Sequence, residues 1–319
     1  MPRRPRPGPG RPLVGVSDVP PVHLVRDYPP GTASAKAARG EWVRVRRGAY
    51  TDAAPDLGDH ATADRHAFAR TVAAYRVLAG VVLSHTSAAQ VWGLPLLRAP
   101  DRVHVFAPWA GSRGAARDVV RHMGRLDAGD VTEVAGFRAT SAERTVVDCV
   151  LSLDPAGGLV VADGALARGV DLGGLLDRLA RLGPVRGVRR ARAVLAVADA
   201  GAESPGESVA RLALLRLGLP APVTQVHVET DDGDRWADMG WPQWRVIVEY
   251  DGRAKYATGG AALDVVLAEK RRQEAITEAG WTVLRLVGDD LRHPDRLRRR
   301  LARHLPPAAF ATCPPDLHA

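Results

Sequence analysis

Three carboxylates in the last third of the chain have the residue types and the spacing of a cation site. Asp238 belongs to a segment that alternates like a strand, and Glu249 and Asp251 close the next apolar segment, residues 246–248. Side chains alternate along a strand, so Glu249 and Asp251 share one face, and a tight hairpin brings Asp238 within one strand spacing of them. Grouped carboxylates repel unless a cation holds them, and oxygen ligands select a hard ion such as Mg²⁺. The alternative interpretation is a charged sheet edge.

The elements that must position these carboxylates follow from alternation, capping residues and chain breakers. The predicted elements are a helix over 207–217, strands over 224–229, 235–239 and 245–250, a helix over 262–279, a strand over 282–287 and a helix over 289–305. Pro220 and Pro222 end the first helix, and Gly280 ends the second. This mixture of helices and strands predicts an α/β (α+β) protein.

Several other chemistries are excluded by the motifs that the sequence lacks. The three lysines, Lys36, Lys255 and Lys270, do not occur in a phosphate-binding GK[ST] context, and HExxH, GxSxG and GxGxxG are absent. The two cysteines, Cys149 and Cys313, form no metal or disulfide pattern, so we expect a reducing, cytoplasmic location. No run of about 18 apolar residues occurs, so we expect no membrane partner.

The net positive charge is confined to the first two-thirds of the chain. Of 44 Lys+Arg and 36 Asp+Glu, residues 201–319 hold 16 basic and 17 acidic side chains, a balance of −1. Residues 1–200 therefore hold 28 basic and 19 acidic side chains, a surplus of +9. A polyanionic partner such as DNA would be attracted mainly by this part. Because nearly all the cations are arginine, a codon bias explains the surplus equally well.

A longer ordered set of residues supports a comparison with known nucleases. The residues that carry it are Glu207-Ser208, Asp238, Val246–Gly252, Lys255-Tyr256, Glu269–Arg271 and Gly280–Arg285. In this order they resemble the PD-(D/E)xK nuclease superfamily and, within it, the very-short-patch-repair (Vsr-like) endonucleases. The resemblance covers about residues 203–304. It implies a restriction-endonuclease-like αβββαβ core that cuts DNA with Mg²⁺, for which Mn²⁺ can substitute.

The resemblance also implies roles for the carboxylates. Asp238 and Glu249 correspond to the strand carboxylates that bind the metal, and Glu207 to a helical glutamate before the strands. Asp251 would be a third metal ligand or would accept the proton of the attacking water. We therefore expect Glu207, Asp238, Glu249 and Asp251 to act together in phosphodiester hydrolysis.

The lysine of the family departs from the expected position. It should stand two residues after Glu249, where this chain has Asp251. Lys255 or Lys270 would have to reach back into the site, and we favour Lys255 as the catalytic lysine. Lys270 and its neighbour Arg271 are then predicted to contact DNA, the alternative being a solvated helix face.

The first two-thirds of the chain carries a second resemblance. Its motifs are Trp42–Tyr50, Ser84–Leu94 and Thr140–Asp148, and they resemble AbiEi-type antitoxin-like proteins. That resemblance implies a DNA-binding winged helix followed by an α/β domain, here over residues 41–198. The preceding arm, residues 1–40, is rich in Arg and Pro, so the winged helix is predicted to be degenerate at its start.

Three arginines of this second motif, Arg44, Arg46 and Arg47, would contact phosphate from the wing; the alternative is a basic strand. His85 is predicted to be a helix-cap neighbour and Cys149 a core residue. The Gly- and Ser-containing segment 199–206 is predicted to separate the two domains, and residues 305–319 to form a tail.

Two functions follow as hypotheses. The first is an Mg²⁺-dependent DNA endonuclease whose N-terminal module positions or regulates DNA. The second is a non-catalytic, antitoxin-like DNA-binding regulator with an inactive nuclease-like domain. A toxin or other protein partner is compatible with either, and the sequence leaves the oligomeric state open.

Overall fold

The computed structural model describes residues 19–54, 57–107, 116–252, 270–311 and 317, which belong to two compact units. The N-terminal unit contains the described residues up to Ser152 together with residues 173–183. The C-terminal unit contains residues 153–172 and the described residues from Pro184 onward. Helices and sheets occur in both units, which confirms the α/β class. None of the described helices has the length and apolarity needed to cross a membrane.

The elements are numbered in chain order. The helices are α1 (Thr32–Ala38), α2 (Asp59–Val77), α3 (His85–Val91), α4 (Ala142–Ser152), α5 (Pro155–Leu166), α6 (Leu172–Arg181), α7 (Val188–Ala196), α8 (Pro205–Arg216), α9 (270–278), α10 (Gly288–Arg292) and α11 (Pro294–Leu301). The strands are β1 (His23–Leu24), β2 (Trp42–Arg46), β3 (Ala49–Asp52), β4 (Val82–Leu83), β5 (Val103–Phe106), β6 (Val119–His122), β7 (Val131–Val134), β8 (Phe137–Thr140), β9 (Val223–Thr230), β10 (Gly233–Trp241), β11 (Val246–Asp251) and β12 (Thr282–Val287).

The N-terminal unit contains two sheets. A small antiparallel sheet has the order β1-β3-β2, and a mixed five-stranded sheet has the order β6-β5-β4-β8-β7. Helix α2 contacts β2 and β3 of the first sheet and β5 of the second, and its residues Val72 and Ala73 are fully buried. One hydrophobic core therefore serves both sheets.

The predicted irregular arm over residues 1–40 is wrong for residues 23–27 and 32–38, which form β1, one turn of 3-10 helix and α1. Pro29, Pro30 and Gly31 directly precede helix α1. Gly31 adopts a left-handed backbone, φ 85°, as the N-cap of α1, a conformation that glycine adopts without steric cost. Residues 1–18 lie outside the described part of the chain. Residues Trp42–Arg46 and Ala49–Asp52, which follow the arm, form the antiparallel hairpin β2–β3.

The C-terminal unit confirms the predicted order αβββαβ. Helix α8 precedes the antiparallel strands β9, β10 and β11, and α9 leads into β12, which pairs parallel to β11. The sheet order is β12-β11-β10-β9. Trp241, Val248 and Leu286 of the sheet are fully buried with Leu214 of α8 and Leu301 of α11.

The domain boundary predicted at residues 199–206 is wrong. Helices α5 and α7 precede it in the chain, but they belong to the C-terminal unit. Asp163 of α5 and Arg211 of α8, both almost completely buried, form an ion pair in which Arg211 Nη2 lies 2.7 and 2.8 Å from the two carboxylate oxygens. The Arg211 guanidinium also donates to the Val197 carbonyl at the end of α7. Buried charges require such partners, but a pair 48 residues apart leaves no local pattern in the sequence.

The predicted tail, residues 305–319, also packs into the C-terminal unit over its described part. Leu305 and Ala309 are buried in the core. The Ala311 amide donates to the Gly218 carbonyl at 2.8 Å, and a Cβ at Gly218 would lie 1.9 Å from the Ala311 carbonyl oxygen. Glycine at position 218 thus permits this close approach. Residue 317 is also described, whereas 312–316, 318 and 319 are not.

The buried pair predicts a large loss of stability when one partner is removed. Arg211→Met should lower the free energy of unfolding by about 3–5 kcal/mol, because the Asp163 carboxylate remains buried without its cation. Lys270→Met is the control, since Lys270 and its partner Glu274 are 70% and 56% exposed, and should cost less than about 1 kcal/mol. Urea unfolding followed by circular dichroism measures both. Equal losses would contradict a structural role for the buried pair.

Candidate functional site

The β10–β11 hairpin brings Asp238 and Glu249 to neighbouring positions. Its register pairs Met239 with Val248, and continuing that register places Asp238 opposite Glu249. The Asp238 carboxylate accepts a hydrogen bond of 2.8 Å from the Tyr250 backbone amide. A carboxylate therefore takes the place of a backbone acceptor where the ladder between the two strands ends.

Three of the predicted site residues line one cavity. Its volume is about 240 Å³, and its lining residues are Asp238, Glu249, Tyr250, Asp251, Arg272 and Arg285. Asp251 is the last residue of β11, two positions after Glu249, so both side chains lie on one face of the strand as alternation requires. The structure thus brings together the three residues expected to supply oxygen ligands. We call the six residues that line this cavity the carboxylate site.

Two arginines of the carboxylate site had no predicted role. Arg272 Nη2 lies 2.8 Å from one carboxylate oxygen of Glu249, and Arg285 Nε lies 3.7 Å from the other. The parallel register places Arg285 directly beside Glu249 on β12, and Arg272 approaches from α9. Arg285 belongs to the motif Gly280–Arg285, but the motif does not indicate that it lies beside Glu249. Only the pairing of β11 with β12 shows this. The charge of the buried Glu249 is therefore offset by two cations.

The pKa of Asp238 is raised from 3.8 to about 6. Burial is the main cause, and the negative charge of Glu207 adds to it. The hydrogen bond from the Tyr250 amide and the positive charge of Arg272 act in the opposite direction. Near neutral pH the carboxyl is ionised and able to bind a cation, whereas below about pH 6 it holds a proton.

Glu207 is placed differently from its predicted catalytic role. Its two carboxylate oxygens accept hydrogen bonds of 2.8 Å from Ser204 Oγ and from the Glu203 amide, while Ser204 Oγ accepts from the Glu207 amide at 3.2 Å. Ser204 is the N-cap of α8, and the spacing Ser204-x-x-Glu207 is the sequence signal of such a helix start. Glu207 is not among the residues that line the cavity; it acts on Asp238 through its charge.

The predicted lysine cannot be placed, because Lys255 lies outside the described residues. Lys270 is exposed on α9 and lies 3.7 Å from Glu274, and Arg271 beside it is also exposed. Neither side chain lines the cavity. Among the described residues, the cations at the carboxylate site are Arg272 and Arg285.

The three arginines of the β2–β3 hairpin differ in their surroundings. A register shift between Arg44 and Arg46 interrupts the pairing with β3, so strict alternation ends there. Arg46 is 10% exposed and lies 3.0 Å from the Asp118 carboxylate, which removes it from the predicted phosphate contacts. Arg44 and Arg47 are exposed and remain accessible to a polyanion.

Comparisons with known proteins place few limits on function. No family model matches the chain. Two uncharacterized proteins of Mycobacterium tuberculosis, from strains CDC 1551 / Oshkosh and H37Rv, are each 35% identical over 185 residues. That region is 56% of this chain, and the chain spans 65% of the length of each relative. The crystal structure of the RV2827C protein of the same organism aligns with a TM-score of 0.34 and 20% identity, over 61% of this chain and 76% of that one.

The raised pKa of Asp238 predicts a specific pH dependence of stability. The folded protein binds this proton more tightly than the unfolded chain, so ionisation of Asp238 destabilises the fold as pH rises from about 4 to about 6. Asp238→Asn cannot ionise and should gain stability relative to the wild type across this interval. Urea unfolding at several pH values measures the difference.

The control for this measurement is Glu278→Gln, which removes one exposed carboxylate of α9. We expect the gain in the free energy of unfolding of Asp238→Asn over the wild type to grow as pH rises. A gain that stays constant or shrinks would contradict the burial of an ionisable Asp238.

Proposed function

We propose that the chain is an Mg²⁺-dependent endonuclease that hydrolyses phosphodiester bonds in DNA, with Mn²⁺ as a substitute metal. The observation that carries this proposal is the cavity of about 240 Å³ in which Asp238, Glu249 and Asp251 meet. The order αβββαβ and the motif resemblance in residues 203–304 are consistent with it.

The donor set fits Mg²⁺. Asp238, Glu249 and Asp251 offer carboxylate oxygens, the ligands that hard cations prefer, and they come from two adjacent strands of a rigid sheet. When bound, Mg²⁺ supplies Lewis-acid chemistry, polarising a phosphate oxygen and lowering the pKa of water. Asp251 ends its strand and is half-buried, so it is suited to accept the proton of an attacking water.

The arginines of the carboxylate site provide positive charge where the resembled family places a lysine. The Arg272 and Arg285 side chains line the cavity and are 28% and 37% exposed, so each is partly open to solvent. Guanidinium groups bind phosphate oxygens in a fixed fork geometry and can offset charge that develops on the phosphate. In this proposal they orient the scissile phosphate beside the carboxylates.

A second function, a non-catalytic DNA-binding regulator, is favoured by one observation. Glu249 already has two cationic neighbours, so its buried charge is compensated without a metal ion. The carboxylate site would then be structural, and the exposed arginines of the N-terminal unit would bind DNA. The two functions differ in metal-dependent cleavage.

Plasmid cleavage tests the proposal. With Mg²⁺ or Mn²⁺ the wild type should convert supercoiled plasmid to nicked or linear forms. Asp238→Asn and Glu249→Gln should lose at least about a hundredfold in rate, because each removes a metal ligand. Both should bind DNA as tightly as the wild type or slightly more tightly, since each reduces the repulsion of phosphate.

Asp234→Asn is the matched control, since this carboxylate belongs to the same strand as Asp238 but is 55% exposed and lies beside His227. It should cleave at the wild-type rate. If the wild type binds DNA but does not cleave it with either metal, the regulator function is favoured. Full cleavage activity in Asp238→Asn would contradict the assignment of Asp238 as a metal ligand.

The hairpin arginines predict a change in the salt dependence of DNA binding. Arg44→Ala combined with Arg47→Ala should reduce the slope of log K against log salt by about 2, at about 0.9 per lost phosphate contact. Fluorescence anisotropy with one labelled duplex measures the slope. Arg98→Ala combined with Arg125→Ala removes two other exposed charges of the same unit and is the control. Equal slopes in the two double variants would mean that the hairpin does not contact DNA.

A further inference from the structure

Three histidines of the N-terminal unit converge although they are far apart in the sequence. His85 begins α3 directly after β4, and His104 and His122 lie on the adjacent parallel strands β5 and β6. One ring nitrogen from each residue lies within 4.8 Å of the other two. Strand pairing explains the meeting, because β4, β5 and β6 are consecutive in the sheet. We call these residues the histidine cluster.

The rings of the histidine cluster are in direct contact. His104 Nδ1 lies 3.0 Å from His122 Nε2, and the rings of His85 and His122 are stacked with centroids 3.7 Å apart and an interplanar angle of 13°. Positively charged imidazolium rings would repel one another at these distances. The contacts therefore require that most of the cluster is uncharged.

Burial keeps the rings uncharged. It lowers the pKa of His85 to about 2 and that of His104 to about 4, and the neighbouring histidines add to both effects. The pKa of His122 is also lowered by burial. Neutral imidazole has a free lone pair on one nitrogen and is the form that binds metal ions.

A carboxylate stands behind the cluster. Asp148 of α4 is buried, and one of its oxygens lies 3.9 Å from Nδ1 of His85, which also lies 3.1 Å from Ser84 Oγ. Arg144 Nε donates to the other oxygen of Asp148 at 2.9 Å and so fixes this carboxylate. Histidine ligands of metals usually have a hydrogen-bonding partner on the nitrogen that does not bind the ion. For His85 that partner is Ser84 Oγ, and Asp148 adds a buried negative charge beside the same nitrogen, beyond hydrogen-bond distance.

The backbone of His85 is itself unusual. Its φ of 50° lies in the left-handed region, which residues other than glycine rarely adopt. Strained backbone persists where the surroundings determine it, and it is concentrated at functional sites. The ring of this residue is the one that stacks on His122.

We propose that His85, His104 and His122 bind one divalent transition-metal ion of the Zn²⁺ class, with Ser84 holding the ring of His85 and Asp148 placing a negative charge beside it. Three imidazoles favour Zn²⁺ over Mg²⁺, which takes oxygen ligands. Tetrahedral Zn²⁺ at about 2.0–2.1 Å from each nitrogen separates its ligand atoms by about 3.3 Å. The His104–His122 pair, at 3.0 Å, is already near this separation, and one nitrogen of each of the three rings lies within 4.8 Å of the others.

This site is distinct in chemistry and position from the carboxylate site. The histidine cluster belongs to the N-terminal unit, and the carboxylates belong to the C-terminal unit. Three protein ligands would leave a fourth coordination position for water or an anionic ligand, as in Zn²⁺ sites that are not purely structural. The inference stands whether or not the chain cleaves DNA.

Metal titration of the full-length protein tests the proposal. The chain is purified without a polyhistidine tag, dialysed against a chelator and titrated with Zn²⁺ by calorimetry in excess Mg²⁺. We expect one Zn²⁺ per chain, and Co²⁺ in its place should give the visible absorption bands of a tetrahedral nitrogen-ligated site. His122→Gln and His104→Gln should weaken Zn²⁺ binding by at least a hundredfold, and Asp148→Asn by about 10–100-fold.

Two controls make the outcome unambiguous. His60→Gln replaces a histidine that is 70% exposed on α2, and Asp238→Asn alters the carboxylate site; both should retain one Zn²⁺ per chain. Far-UV circular dichroism checks the fold of each metal-free variant. If one ligand variant fails to fold, the other and the Co²⁺ spectrum of the wild type decide. The proposal is overturned if the wild type takes up no stoichiometric Zn²⁺, or if the folded ligand variants bind it as tightly as His60→Gln does.

Discussion

One buried ion pair determines how the C-terminal unit is assembled. Asp163 receives both the Arg211 guanidinium and, at 2.8 Å, the Asp199 amide, while the Asp199 carboxylate accepts a 2.6 Å hydrogen bond from Thr224 Oγ. These bonds connect α5, the segment after α7, α8 and the first strand of the sheet. Because an unpaired charge in this environment is costly, each element is fixed relative to the others. The strands that carry Asp238 and Glu249 extend from this frame.

Much of the fold was predictable because its determinants are local. Alternation identified the strands of the C-terminal unit, and proline and glycine identified the ends of α8 and α9, so the order αβββαβ was correct. The helix predicted over 289–305 is wrong in its bounds, since α10 ends at Arg292 and α11 extends from Pro294 to Leu301. The errors in the domain boundary and in the N-terminal arm have different causes. Helices α5 and α7 were assigned to the wrong unit because their main partner, Arg211, lies far along the chain. Helix α1 was missed because Gly31 serves as an N-cap, although glycine after two prolines more often indicates a loop.

The sites were predictable to different extents for the same reason. Asp238, Glu249 and Asp251 belong to one hairpin, so alternation and a tight turn were sufficient to group them. The arginines that compensate Glu249 depend on the parallel pairing of β11 with β12 and on the position of α9, neither of which has a local pattern. The successive residues of the histidine cluster are 19 and 18 positions apart, a spacing that matches no metal-binding motif. His85 was interpreted as a helix-cap neighbour, which describes its place in α3 but not the rings that surround it.

The path of the chain between its two units bears on how such a gene can evolve. The chain leaves the N-terminal unit after Ser152, returns at Gly173 and leaves again after Gly183. A single recombination point between residues 153 and 183 would therefore divide at least one unit between two parental genes. Exchange of a whole unit would need several breakpoints, each preserving the reading frame. Selection should accordingly keep the described parts of the two units together through descent, and insertions should be tolerated at exposed loop tips rather than at these crossings.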